Sequence, residues 1–398
     1  MPNFPWQNIA LNPLAAFGIL LTLGVMGGHI SNRIARLPAM TGYVLIGLII
    51  GPASLHILNE DLLRAADLFV NLALGLALFE SGRRVDLRWL RAERTLLLST
   101  LTYCLLVFAA LYTLLVFAGL DWQTSTTMAA IGMASSPIVI LEMMREGRAE
   151  GQVSDRLATA TALSSLLSLL VFAIALGSAH LFRQQPSADS LLTPAWLILG
   201  SSLLGLLAGV LAIALNHWLG HQRQHRTVLL FGLITLLVGL AVMLGTLPSL
   251  ALLVFGLATR NLRGGESISE PDLLAGSHFF FVAFFVAAGA WLQPHALASH
   301  WPLAITYLLL RTGIAMLFWF ALAPANCLIR RRGLWLGLAL NPLSGGSAML
   351  LSMGSLSLGA QANNAAACLM AVLVISELAG PWLCRLALQQ AGELSKEH

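Results

Sequence analysis

Apolar residues fall along this chain in long runs separated by short charged gaps. Thirteen such runs are present, at about 12–30, 39–57, 67–82, 95–118, 125–145, 157–182, 192–218, 226–244, 247–262, 271–293, 302–328, 333–356 and 362–386. Each is near the roughly 20 residues that cross about 30 Å of hydrocarbon, the ninth being short. The pattern predicts an all-α polytopic membrane protein with thirteen transmembrane helices.

Two of the runs carry a flaw at their centre. The fifth, TSTTMAAIGMASSPIVILEMM, holds Ser135, Ser136 and Pro137. Pro137 has no backbone N–H to donate, and it biases Ser136 away from helical geometry. The twelfth, GLALNPLSGGSAMLLSM, holds Asn341, Pro342, Ser344, Gly345, Gly346 and Ser347. Lipid tolerates loosened backbone only where protein buries it or a water-filled cavity solvates it. Kinked but continuous helices are the plainer reading, since Pro and Gly are common in membrane spans. Two broken segments in corresponding halves instead point to a secondary transporter and its binding site. The breaks lie seven spans apart, which also pairs span 3 with span 10 and span 6 with span 13. Seven is odd, so paired spans run in opposite directions. The reading is an inverted repeat with span 7 as connector, whose half-helix ends bracket whatever binds between them.

Composition supports the class. Of 398 residues 58% are hydrophobic and 10% charged, and mean hydropathy is +0.81; a soluble domain carries about 25% charged residues. One membrane domain with no soluble regulatory domain is expected. The basic balance, net +4, comes from arginines in short gaps and gives no indication of a nucleic-acid partner. Those gaps alternate. Nineteen Lys or Arg residues follow odd-numbered spans, only Arg64 and Arg183 lie on the other side, and Arg311 is left inside a span. By the positive-inside rule the N-terminus faces out and the C-terminus faces the cytoplasm. The first residues lack a basic stretch, so the first span is read as retained and not as a cleaved signal. Cys104, Cys327, Cys368 and Cys384 show no ligand spacing, and no metal centre or cofactor is expected.

Several stretches carry a resemblance. LPAMTGYVLIGLIIGP at 37–52, LFVNLALGLALFESGRRVDLRWLR at 68–91, GMASSPIVILEMMREG at 132–147, FFFVAFFVAAG at 279–289 and AVLVISELAGPWLCRLAL at 371–388 resemble, in order, segments of the bacterial monovalent cation:proton antiporters. These are the superfamily of sodium–proton and potassium-efflux exchangers. The resemblance implies a homodimer in the bacterial cytoplasmic (inner) membrane that exchanges a monovalent cation for protons by an elevator-like movement. It also implies a dimerisation part, about 12–94 and 226–293, a core part, about 95–182 and 302–388, and a linker helix at about 192–218.

The chemistry departs from that family in two spans. Its antiporters carry an Asp midway along span six, where cation and proton compete. The matching positions here are Ser164 and Ser165, and no acid occurs between Asp155 and Asp189. A serine hydroxyl can ligate a monovalent cation weakly and transiently but does not titrate. The family's Arg-Gly-Glu in span twelve becomes Ser344, Gly345 and Gly346. Arg311 falls where the family has Lys or Arg on span eleven. An ionisable residue at that depth marks a site by default, snorkelling to the interface being the alternative. Arginine cannot shed its proton there, so it needs a neutralising partner, which the sequence does not identify. Glu80 and Glu142, close to Arg83 and Arg145, read as surface pairs. Glu377 lies about 12 Å into the bilayer from Arg385, at a depth similar to Ser165. It is either a replacement carboxylate or part of a structural network. Asn341 is either a ligand or a half-helix cap.

Three functions stay open on these residues: cation:proton antiport with a displaced proton carrier, an anion or neutral-solute carrier using Arg311, and a transport-inactive relative. An enzyme is not expected, because no G-x-S-x-G is present and no His or acid is placed as a base.

Overall fold

A computed structural model describes residues 12–33, 37–58, 60–183, 188–219, 223–262, 278–292, 294–343 and 362–394. The described residues contain helices and no strand. In chain order they are α1 Pro13–Arg33, α2 Ala39–Ile50, α3 Glu60–Arg83, α4 Leu87–Ala92, α5 Arg94–Phe117, α6 Trp122–Gly132, α7 Pro137–Glu146 and α8 Gln152–Arg183. They continue with α9 Ala188–Ala195, α10 Ser201–Trp218, α11 Arg223–Met243, α12 Pro248–Asn261, α13 His278–Trp291, α14 Pro294–Leu322, α15 Arg330–Ala339 and α16 Ala362–Ala391. A π-turn at Trp196–Gly200 joins α9 to α10. Eight described segments are long and apolar enough to cross a membrane, counting α6 and α7 as one, and α2 and α13 are shorter apolar helices. Leu98 and Leu105 on α5, and Leu309 and Leu317 on α14, stand exposed. Apolar side chains displayed in such numbers suit contact with lipid.

The chain divides into two compact units, Met1–Ala73 with Gly276–Leu292, and Leu74–Ala275 with Gln293–His398. In the first, α1, α2 and α13 pack together. Gly47 on α2 lies against the Val286 carbonyl of α13, and Gly289 on α13 lies against the Val44 carbonyl of α2. A side chain at either position would force the two helices apart. Phe17 and Phe69 stack at 4.0 Å to close the same unit.

In the second unit α5, α6, α8, α14, α15 and α16 surround the broken segment, while α10 packs on α12 through Gly205 against the Ala251 carbonyl. Helix α14 differs from the apolar run read at 302–328. It begins at Pro294, takes Pro302 into its interior and stops at Leu322, where Pro324 opens a 3-10 turn. Pro324 has no N–H to give the Phe320 carbonyl, and the chain tightens there into the 3-10 turn while Ala323 keeps helical angles, φ −53° and ψ −47°. Arg311 therefore lies 17 residues past Pro294 and 11 before Leu322, well inside the helix.

Two acids also differ from their surface reading. Glu80 is 3% exposed and Glu142 6%. Each is held by arginine one turn away, Glu80 by Arg83 at 3.0 Å and Arg84 at 3.3 Å, Glu142 by Arg145 at 2.8 Å. Close spacing in sequence here marks a pair whose carboxylate is buried and not solvated.

Candidate functional site

Helix α6 stops at Gly132 because the chain ahead cannot stay helical. Ser136 is extended, with φ −75° and ψ 111°, its hydroxyl accepts from Val139 N at 3.4 Å, and Pro137 opens α7. Helix α15 stops at Ala339, with residues 340–343 non-helical. Ser344 and its glycine neighbours lie outside the described residues. The two interruptions meet: Ser136 N donates to Pro342 O at 2.8 Å, and the Ser135 hydroxyl donates to Leu340 O at 2.6 Å.

A helix end leaves its last carbonyls without intrahelical partners, and here two such ends converge on Arg311. Its side chain is fully buried. Nε donates to Gly132 O at 2.6 Å. One terminal nitrogen donates to Ala134 O at 2.6 Å and Leu340 O at 3.1 Å. The other donates to Asn341 O and to Asn341 Oδ1, the latter at 2.9 Å. A guanidinium has five N–H donors, and these five bonds use them all. Each helix C-terminus carries roughly half a negative charge, so α6 and α15 together supply about one unit against the arginine's one. This is the neutralising partner that the sequence left unidentified, built from backbone with no carboxylate required. Asn341 serves by its backbone and its side chain, and Thr312 Oγ1 shares its Oδ1 at 2.9 Å.

Serines on α8 hold the other side of the first break. Ser164 Oγ accepts from Ser135 N at 3.3 Å and donates to Thr161 O at 3.0 Å. Ser165 Oγ donates to Ser135 O at 3.1 Å, and Ser168 Oγ to Ala130 O at 2.6 Å. On α16, Ser376 Oγ accepts from Leu343 N at 2.8 Å and lies 3.2 Å from Leu343 O. Gly380 lets Pro342 approach, since a Cβ there would lie 3.2 Å from the proline ring. Glu377 follows Ser376 and is 1% exposed. The structure thus brings Ser135, Ser136, Ser164, Ser165, Arg311 and Asn341 into one hydrogen-bonded cluster, with Pro137 opening its far helix. Glu377 lies beside the residue that ties α16 to that cluster.

The oxygens gathered around Ser164 and Ser165 are neutral hydroxyls and carbonyls. They suit a weakly held cation and offer no charge to an anion. Sequence reasoning missed Tyr307, whose hydroxyl donates to Met128 O at 3.0 Å, and Gly132, where a Cβ would collide with that hydroxyl. No composition or motif signal marks either one. It also missed Ser168, although its spacing from Ser164 and Ser165 on one helix face was available.

Comparison with known proteins identifies the family and the fold. The sequence profile described as "Sodium/hydrogen exchanger, transmembrane" matches residues 17–388. The chain belongs to the sodium/hydrogen exchanger family. A relative of this exchanger-family chain is the Na(+)/H(+) antiporter NhaS5 of Synechocystis, 25% identical over 324 residues, which are 77% of this chain and 45% of that protein. The chain therefore spans under half the length of that curated relative. Among solved structures, the sodium proton antiporter MjNhaP1 of Methanocaldococcus jannaschii at pH 8 superposes with a TM-score of 0.70 at 19% identity, covering 96% of this chain and 99% of the other. An electron-microscopy structure of the same antiporter gives 0.69. The exchanger-family chain thus has the fold of a cation:proton antiporter, and its relatives are transporters.

Proposed function

We propose that the protein is a secondary active transporter that exchanges a monovalent cation, sodium or potassium, for protons by alternating access. In this reading it works as a homodimer of thirteen-span subunits in the bacterial cytoplasmic membrane, N-terminus out. The dimerisation part runs over about 12–94 and 226–293 and the core part over about 95–182 and 302–388. Ser164, Ser165 and the Ser135 carbonyl act as cation ligands, and Glu377 acts as the proton carrier in place of the acid missing from α8.

The observation that carries the reading is the occupied Arg311. In a family of cation:proton exchangers, a positive residue with all five donors on protein oxygens leaves nothing to bind an anion. It stabilises the crossing of the breaks instead. That weighs against the anion-carrier alternative and leaves cation exchange. Glu377, buried on α16 next to Ser376, supplies the titratable group that exchange requires.

The test is flux in proteoliposomes. Sodium, potassium, lithium and chloride are each offered with and without a pH gradient. Cation movement tied to the gradient supports the proposal. Chloride movement would restore the anion reading. No movement of any ion by folded protein would leave the transport-inactive relative.

A further inference from the structure

Helix α8, which carries Ser164 and Ser165, begins without a cap of its own. The residue before it, Gly151, has no side chain to accept the first N–H groups, which have no partner inside the helix. The acceptor comes instead from the far end of the chain. Glu393 Oε1 accepts from Val153 N at 2.8 Å, across 240 residues, and Oε2 accepts from Ser154 N and the Ser154 hydroxyl, both at 2.7 Å. The backbone joins in, Glu150 N donating to Glu393 O at 3.2 Å.

Three glycines make the contact possible. Gly392, with φ +77°, turns the chain at the end of α16. Gly151, with φ +149°, leaves the space that the Glu393 carboxylate fills, and a Cβ there would collide with it. Gly147 leaves the space taken by Leu394. Glu393 is only 8% exposed, so a charged group is withdrawn from water to reach this position. A helix N-terminus favours a negative charge, and three donors compensate the lost hydration.

We propose that Glu393 is a positioning residue for the ion site: as the cap of α8, supplied from the end of α16, it locks the axial register of the two helices that grip the breaks. Helix α8 reaches the first break through Ser164, Ser165 and Ser168, and α16 reaches the second through Ser376. Val153 lies about 18 Å from Ser165 along α8, at 1.5 Å per residue, and a helix transmits an axial slip over that length. Sliding α8 against α16 breaks the Glu393 bonds and the Ser165–Ser135 bond together. The functional part of this proposal rests on the transport reading; the register lock does not.

Residue-resolved amide hydrogen exchange tests the lock on the full chain, comparing wild type with Glu393→Ala, Glu393→Gln and Ser154→Ala. Loss of an N-terminal cap corresponds to about fivefold faster exchange of the amides it held. In Glu393→Ala that acceleration is expected at Val153 and Ser154, and also at Ser135, whose amide is bonded to Ser164. Arg88 and Trp89, capped independently by Asp86, stay unchanged. Glu393→Gln, which keeps an acceptor oxygen, restores much of the protection, and Ser154→Ala gives a smaller effect of the same pattern. Acceleration confined to Val153 and Ser154 would overturn the proposal, as would equal acceleration at Arg88 and Trp89, which is general loosening. In proteoliposomes, Glu393→Ala is expected to raise the apparent KM for sodium or potassium severalfold at an unchanged maximal rate per folded protein. An unchanged KM in a functioning transporter would overturn the positioning role. Absence of flux in the wild type would remove the transport reading alone, and accelerated Ser135 exchange would still uphold the lock.

Discussion

Replacing Arg311 by methionine tests whether a buried arginine is neutralised by two helix ends. Methionine roughly fills the stem's volume and removes the charge and all five donors. Five acceptors then lose a bond, and three of them, the carbonyls of Gly132, Ala134 and Asn341, lose the donor described for them, while Leu340 O keeps the Ser135 hydroxyl and Asn341 Oδ1 keeps Thr312. A net hydrogen bond to a charged group contributes about 1.5–3 kcal/mol, but five do not add, since some acceptors find other donors. Removing one member of a buried charged network costs about 3–5 kcal/mol, and the α6 and α15 C-termini are left facing each other with like partial charges. Arg311→Met is therefore expected to lose about 3–5 kcal/mol. Arg311→Lys keeps the charge and three donors, so its loss is expected near 2 kcal/mol. Denaturant titration in mixed micelles, followed by tryptophan fluorescence, reads both. The predicted order of stability is wild type, then Lys, then Met. A Met variant as stable as the Lys variant would refute charge compensation by the helix ends.

Other perturbations report on neighbouring parts. Ser165→Asp restores an acid beside the first break and is expected to create or strengthen pH-gradient-driven cation flux in proteoliposomes, while a folded variant with unchanged flux would show that the site no longer accepts one. Gly132→Ala drives a methyl group into the Tyr307 hydroxyl and is expected to cost about 1–3 kcal/mol, partly relieved by Tyr307→Phe in a double mutant and read by thermal unfolding. Asp86 caps α4 and pairs with Arg260 at 3.1 Å; burial opposes its ionisation, but bonds from Trp89 and Arg88 and the Arg260 charge outweigh it and hold its pKa below the usual value. Its contribution is therefore present above the ordinary Asp pKa of about 3.9 and lost as pH falls through the lower folded value, so Asp86→Ala should cost about 1 kcal/mol at neutral pH and flatten the stability profile below pH ~4.

The sequence made some of this legible for clear physical reasons. Proline constrains its own φ and the residue before it, so Ser135-Ser136-Pro137 marks the non-helical stretch that the structure has there. An arginine deep in an apolar run stands out, and Arg311 is buried. Four of its five acceptors were not legible, because they are backbone carbonyls, which every residue possesses and no letter distinguishes; the fifth, Asn341 Oδ1, belongs to a residue the sequence singles out. The Glu393 cap was hidden for a related reason. Helix-start signals are read locally, whereas α8 begins after a glycine and takes its acceptor from 240 residues away. The apolar run at 302–328 marks the span but not the ends of α14, which begins at Pro294, carries Pro302 within the helix and stops at Leu322. The buried Glu80 and Glu142 pairs were read as surface because spacing reveals the partner but not what covers it.

Under the proposed function, Glu377 carries the proton that the serines on α8 cannot, and one substitution tests this directly. Glu377→Gln preserves shape and removes the titratable group, and it is compared with wild type for sodium and potassium flux driven by an imposed pH gradient in proteoliposomes, at matched amounts of folded protein. Gradient-driven flux in the wild type that is abolished in Glu377→Gln is the predicted result, and wild-type exchange in the Gln variant would contradict it.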